Sequence, residues 1–268
     1  MLRGALKNVL GHKLRMALTG FAIMLGVSFV AGTYIFTDSI SSTFNNLFSE
    51  VYTGVDLTIR PKTAEFGASS AQRIDQETFN AVISVESIGA YAPEVAGFAQ
   101  LIGKDGNLIG GQGPPTLGFA WTNEPSLQTL KIQEGDGRGP TQNGEVVIDK
   151  ATAITNDLSV GDTISIITQQ PAEEFEIVGI ATFGSADGLA GATISAFEIS
   201  EAQRLFGYDD SYSAININAD DTVSIEELQN RIAKVLPSSL EVVTGEQQAN
   251  EQIDEINTNL GFINTALL

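Results

Sequence analysis

Cysteine is absent from the 268 residues, which excludes disulfides, thiolate metal sites and cysteine nucleophiles. Histidine is nearly absent as well. The one copy, His12, lies in a short basic leader, so no Ser-His-Asp triad can form in the rest of the chain. Basic charge is scarce: 14 Lys and Arg stand against 33 Asp and Glu, for a net charge of −19. Arg3, Lys7, Lys13 and Arg15 all fall in the first 15 residues, which hold no acid, so the remainder carries −23. An acidic body of that kind repels phosphates and excludes nucleic acid as a partner.

Charge of either sign is missing from Met16 to Thr37, a run of 22 residues built mainly from Ala, Leu, Ile, Val, Phe, Gly and Met. As a helix it would be roughly 33 Å long, which matches a hydrocarbon core of about 30 Å. A cleaved export signal would have a shorter apolar region and a small-residue cleavage site, whereas this run ends in Tyr34-Ile35-Phe36. A soluble core helix would carry a polar face. The run therefore reads as a retained membrane span. Basic residues precede it, and the first charges after it are Asp38 and Glu50, which predicts a cytoplasmic N-terminus and an extracytoplasmic acidic body.

The helical pattern does not stop at the membrane. Phe36, Ile40, Phe44, Leu47, Phe48 and Val51 recur at helical spacing, predicting an amphipathic stalk to about residue 50. Ile253, Ile256, Leu260, Ile263 and Leu267 form a matching stripe near the other end, and the two are expected to pack together. In the leader, Leu2, Leu6, Val9, Leu10 and Leu14 mark one face of a short helix lying on the inner membrane surface.

Between these ends the chain alternates short strand and helix patterns. Strands are predicted at 55–61, in 88–113 around the Asp105-Gly106-Asn107 turn, and in "GEVVID", "VGDTISIIT", "FEIVGIATF", "YSAININA" and "LEVVTG". Helices are predicted at 75–86, near 150–157, at "ISEAQRLF" closed by Gly207, and after Ser224, whose spacing to Glu227 fits a capping box. The fold class is α+β, with strands too short and alternating for a doubly wound parallel sheet. Gly/Pro-rich stretches at 110–115 and 135–140 are expected to separate two subdomains.

Residues that could carry chemistry give little. "GFAQLIGK" (97–104) has five residues between its glycines where a phosphate loop needs four, and Asp105 follows where a hydroxyl is needed, so a turn is the better reading. "NINADDTVSIEE" (216–227) has oxygen-bearing residues at some calcium-loop positions, but Asp221 stands where glycine is required. "SADGLAG" (185–191) reads as a connecting loop. Glu173-Glu174 and Asp209-Asp210 are sequence neighbours that point to opposite faces of an extended segment, not an acid/base pair. No catalytic, cofactor-binding or metal-binding residue is assigned.

"LKNVLGHKLRMALTGFAIMLGVSFVAGTYIFTDSISSTF" resembles the first transmembrane segment of FtsX/MacB-like permeases of ABC transporters. "GEVVIDKATAITNDLSVGDTISI", "FEIVGIATFGSADGLAGATISAFEISEAQRLFG" and "VVTGEQQANEQIDEINTNLGFINTALL" are similar to the extracytoplasmic core domain that follows it. The resemblance implies a two-subdomain mixed α/β outer domain and a mechanotransmission permease of the plasma membrane. Such a permease works with a separate cytoplasmic ABC ATPase and hydrolyses no ATP itself. It also implies no cofactor, a dimer or pseudo-dimer of permease halves, and an extracytoplasmic protein or lipoprotein partner. The expected division is a leader at 1–15, a span at 16–37, a stalk at 38–53, the core domain at 54–246 and a return helix at 247–268. Family members have at least four spans and this chain has one, so it is expected to be an N-terminal fragment. The alternative reading is a complete single-pass anchored binding or sensor module.

Overall fold

The helix expected over the apolar run continues well past it. A computed structural model describes residues 13–51, 54–62, 73–111, 114–184, 186–189, 191–254 and 258. In it, α1 spans Lys13–Val51 without a break. Its segment Leu14–Ile35 has a mean hydropathy of 1.8 and none of it is buried, so it is long and apolar enough to cross a membrane. The hydroxyls of Thr19, Thr33 and Thr37 donate to the carbonyls four residues earlier at 2.8–2.9 Å. Folding these donors back on the helix suits a surrounding that offers no water. The expected stalk stripe from Phe36 to Val51, its counterpart from Ile256 to Leu267, and the leader through His12 lie outside the described residues or their described side chains.

Leu47–Gln252 forms a compact unit of its own. It holds a nine-stranded sheet, a four-stranded sheet and a two-stranded pair. The four-stranded sheet contains β1 (Leu57–Pro61), β3 (Ile88–Glu94), β14 (Ala214–Ala219) and β15 (Leu240–Thr244), in the order β15-β1-β14-β3 and antiparallel throughout. β2 (Ile74–Asp75) pairs with β13 (Ser211–Tyr212) beside it. Alternation puts Leu57, Ile59, Ile215 and Ile217 on one face, in an apolar cluster with Phe79 and Val82 of α2 (Gln76–Ile83). Leu228 and Ile232 of α5 (Ile225–Ala233) join the same cluster.

The larger sheet runs β4-β7-β12-β9-β11-β10-β5-β6, with β8 (Leu130–Gly137) added on β11. Its strands are β4 (Ala96–Phe98), β5 (Gln100–Ile102), β6 (Leu108–Ile109), β7 (Thr116–Ala120), β9 (Glu145–Asp149), β10 (Thr163–Ile167), β11 (Glu173–Phe183) and β12 (Thr193–Phe197). β4 pairs with one end of this path and β5 with the other, yet only the buried Ala99 separates them. They are one bent strand, and the sheet curls round to close a barrel. Phe175, Phe197 and Phe206 fill it, stacked edge-to-face with centroids 5.2 and 6.0 Å apart. Phe206 comes from α4 (Ile199–Phe206) and lies over the paired glycines Gly97 and Gly118. A Cβ at either would come within 2.5 Å of its ring.

The α+β class holds and the predicted elements occur in order, including the left-handed Gly207 that ends α4 at φ 65°, but β7, β8 and β12 are strands that no predicted segment covers. α3 (Lys150–Thr155) is capped by Asp149, which was not singled out. The capping box is half-formed: Ser224 Oγ accepts from the Glu227 amide, but the Glu227 side chain pairs with Arg231. The Gly/Pro-rich stretches do not divide the two sheets. Both lie along the nine-stranded sheet, between β6 and β7 and at the end of β8. The chain crosses between sheets at the buried Val95 and returns through β13. There the Glu94 carbonyl accepts both the Ser213 amide and hydroxyl, at 2.8 and 2.9 Å.

Candidate functional site

α1 leads into β1 after a few residues, and β15 runs straight into a return helix over 245–254. β1 and β15 are hydrogen-bonded neighbours, with Leu57 opposite Thr244 and Pro61 opposite Leu240. Alternation leaves Thr58 and Arg60 of β1 on the face opposite the apolar cluster, with Asn216, Ala214, Glu94, Ala92 and Val243. That face is also buried, but by polar and small groups: Thr58, Asn216 and Val243 are all under 10% exposed.

Arg60 organises this face. Its Nε donates to Glu241 Oε1 on β15 at 2.9 Å, and its two terminal nitrogens donate to Gln248 and Glu251 on the return helix. The guanidinium fork thus binds both the adjacent strand and the helix that leaves it. Burial alone would lower the Arg60 pKa, but the bonds to Glu251 and Glu241 hold it above its ordinary value. Arg60, then Gln247, holds the Glu251 carboxyl below the usual carboxylate range. Thr244 caps the helix, its Oγ1 accepting from the Gln247 amide at 3.1 Å.

A second knot holds the start of β1. Asp56 Oδ2 accepts from the Ala219 amide at 2.9 Å, and the Asp56 carbonyl accepts from the Gly245 amide at 3.2 Å. One residue therefore ties the entering chain, the end of β14 and the first residue of the return helix.

Across the same face runs a side-chain chain: Thr58 Oγ1 donates to Asn216 Oδ1 at 2.8 Å, and Asn216 Nδ2 donates to Glu94 Oε1 at 2.5 Å. Among the described residues Asn216 is the only donor to the Glu94 carboxyl, and burial pushes that carboxyl above its ordinary pKa. Tyr208 is pushed up too, by burial first, with Arg73 acting against it and Glu94 with it. The Arg73 guanidinium stacks on the Tyr208 ring at 4.2 Å.

The segments weighed for chemistry take structural roles. Residues 97–104 carry β4 and β5, and Gly103 accepts and donates across the Asp105-Gly106-Asn107 turn. In 216–227, Asp220 Oδ1 accepts from the Thr222 amide, closing the turn before α5. The described part of 185–191 packs on α3, where Asp187 carbonyl accepts the Ala151 amide and a Cβ at Gly188 would meet Asp149. Glu173 forms a two-point ion pair with Arg204 of α4. No group of three or more potential metal ligands occurs among the described residues. A shallow groove lies beside the free edge of β3, lined by Ile83, Ile88, Tyr91, Thr122, Asn123 and Glu124.

The arrangement is an electrostatic junction that ties β1, β14 and β15 to the return helix through Arg60, Asp56 and Thr244. Neither Arg60 nor Glu94 stood out in the sequence. The signal available was a lone cation in β1, whose alternate residues include Leu57 and Ile59, and a lone acid ending β3.

The MacB-like periplasmic core domain family matches residues 16–235, more than half of the chain. Comparison with curated proteins gives no match. Among solved structures, the periplasmic region of MacB from Actinobacillus actinomycetemcomitans is similar, with a TM-score of 0.52 and 14% identity. The match covers 75% of this chain and 95% of that one. The extracellular domain of the noncanonic ABC-type transporter YknZ from Gram-positive bacteria aligns with a TM-score of 0.48 and 14% identity, covering 70% of this chain and 98% of that one. A curled barrel beside a four-stranded α/β layer, preceded by a span-length apolar helix and matched along most of its length, places the protein: the chain belongs to the family of MacB-like periplasmic core domains.

Proposed function

We propose that the chain is a permease segment of an FtsX/MacB-type ABC transporter that carries motion between membrane helices and an extracytoplasmic domain. In this reading residues 16–37 span the plasma membrane with the N-terminus in the cytoplasm, 38–53 form the stalk, 54–246 the outer domain and 247–268 the returning helix. ATP is hydrolysed by a separate cytoplasmic ABC ATPase. A dimer or pseudo-dimer of permease halves and an extracytoplasmic protein partner complete the assembly.

The observation that carries the proposal is that the return helix follows directly on β15 and is bonded to Arg60 of the paired strand β1, the strand that follows α1 in sequence. In this reading, displacing the return helix loads edge strand β15 and, through Arg60, its inner neighbour β1. Support for membrane retention comes from the uncharged 22-residue run and its internally bonded threonines.

The test is biochemical. The native protein should remain in membranes through high-salt and alkaline washes, expose residues 54–246 only to protease added outside, and co-purify with an ABC ATPase. Release by the washes, or purification without an ATPase, contradicts the proposal.

A further inference from the structure

The row of residues through Arg60 places a second carboxylate within its reach. Glu241 lies directly opposite Arg60 on β15, and Glu94 lies opposite Ala214 on β14. Ile59 pairs with Ile215, so the next step of the register sets Arg60 beside Ala214. Across the sheet the order is Glu241, Arg60, Ala214, Glu94, all on the polar face. Arg60 and Glu94 are two strand spacings apart, about 9.6 Å between backbones. An extended arginine and glutamate span that gap together, and the residue between them in the row is Ala214, which brings only a methyl to it. A larger side chain at that position would block the path.

We propose that Arg60 is a two-position arm, held by Glu241, Gln248 and Glu251 when the return helix is seated, and crossing over Ala214 to Glu94 when that helix is withdrawn. Each position solves a different problem. In the seated position the guanidinium has carboxylates on both the strand and the helix. Glu94 meanwhile has one amide donor and no cation within ion-pair distance among the described residues. Withdrawal of the helix removes two of the three groups that hold Arg60 and leaves Glu241 as the one partner of its guanidinium's five donors. Glu94 is the remaining acid in the row, and an arriving cation favours its ionised form. The crossing therefore lowers the pH at which Glu94 gives up its proton. The other charged groups around it are Arg73 against Tyr208 on one side, and Glu241 and Glu251 beyond Arg60 on the other.

The arm's use as a latch rests on the proposed movement of the return helix. The crossing itself does not, because it is read on this chain alone, without an ATPase. The experiment is a carboxyl-carbon NMR titration of the full chain labelled at glutamate, with Glu94→Gln identifying the Glu94 signal. In Glu241→Gln/Glu251→Gln, Glu94 should titrate about one pH unit or more lower than in the native protein. Adding Arg60→Gln should erase the drop. The single Glu251→Gln variant, altered only at an exposed helix position, should show a smaller drop in the same direction. An unchanged Glu94 titration in the single and double variants, or a drop that survives Arg60→Gln, overturns the proposal. A failure of ATPase association would instead contradict the transporter reading and leave this result standing.

Discussion

The barrel and the four-stranded sheet solve the burial problem in opposite ways. The barrel curls round an aromatic interior of Phe175, Phe197 and Phe206, within an apolar cluster that continues to Leu57 and Ile59 of the smaller sheet. The four-stranded sheet has one aliphatic face under α2 and α5 and one polar face under the return helix, where Thr58, Asn216, Glu94 and Arg60 meet. A close-packed aromatic core has one arrangement and resists small displacements. A polar face can exchange partners, since each hydrogen bond lost can be replaced by another of similar strength. The return helix leaves the sheet of the second kind and is bonded to it through Arg60. A rigid body with an adjustable mount is what the proposed transmission of motion would require.

The comparison can be broken most severely at the barrel. Phe206→Ala should cost about 4 kcal/mol, because the space above Gly97 and Gly118 cannot refill. Chemical denaturation with intrinsic fluorescence would measure it. Asn216→Ala strikes the polar face and should cost about 2 kcal/mol, since Thr58 and Glu94 lose their shared partner. If the two losses were reversed in size, the contrast between a rigid and an adjustable layer would be wrong.

A pH series sharpens the comparison at the barrel rim. Glu145, on β9, is held at about 2 first by Arg138 and then, against the effect of burial, by Thr141. Its folded pKa is depressed, so its stabilisation is present above the unfolded value of 4.5 and is lost as pH falls toward about 2. Arg138→Gln should therefore lower stability at neutral pH, and the gap to the native protein should close between about pH 5 and about pH 2. Melting curves across that range would show it. The smallest effect is expected at a cap: Ser224→Ala should cost about 1 kcal/mol through loss of the bond to the Glu227 amide, measurable by the same denaturation.

The sequence made the elements legible because most signals are local. Alternation in 55–61, the acidic start at Asp75, the turn at Asp105-Gly106-Asn107 and the glycine after Phe206 each act within a few residues. The barrel was not legible, because its closure depends on β4 and β5 meeting opposite edges across Ala99, a pairing with no local mark. Gly97 read as part of a false phosphate loop, while its actual constraint is a phenyl ring from residue 206. The subdomain boundaries were misplaced for a related reason. Glycine and proline mark turns, and here the turns fall within the larger sheet, while the true crossing at Val95 is a buried aliphatic residue. Arg60 and Glu94 escaped notice because a charge gains significance only from its row across the sheet.

The central claim is that the return helix moves against the sheet that carries Arg60 when the ATPase works. Spin labels can be placed at Asn250→Cys and Lys234→Cys, both exposed, with Lys131→Cys and Asn143→Cys as a pair within the barrel unit, in a background where any cysteine outside these 268 residues is replaced by serine. Pulsed electron resonance on the full-length permease with its ATPase should show a changed 250–234 distance between nucleotide-free and ATP-bound states and an unchanged 131–143 distance. Identical 250–234 distances in both states would contradict the account.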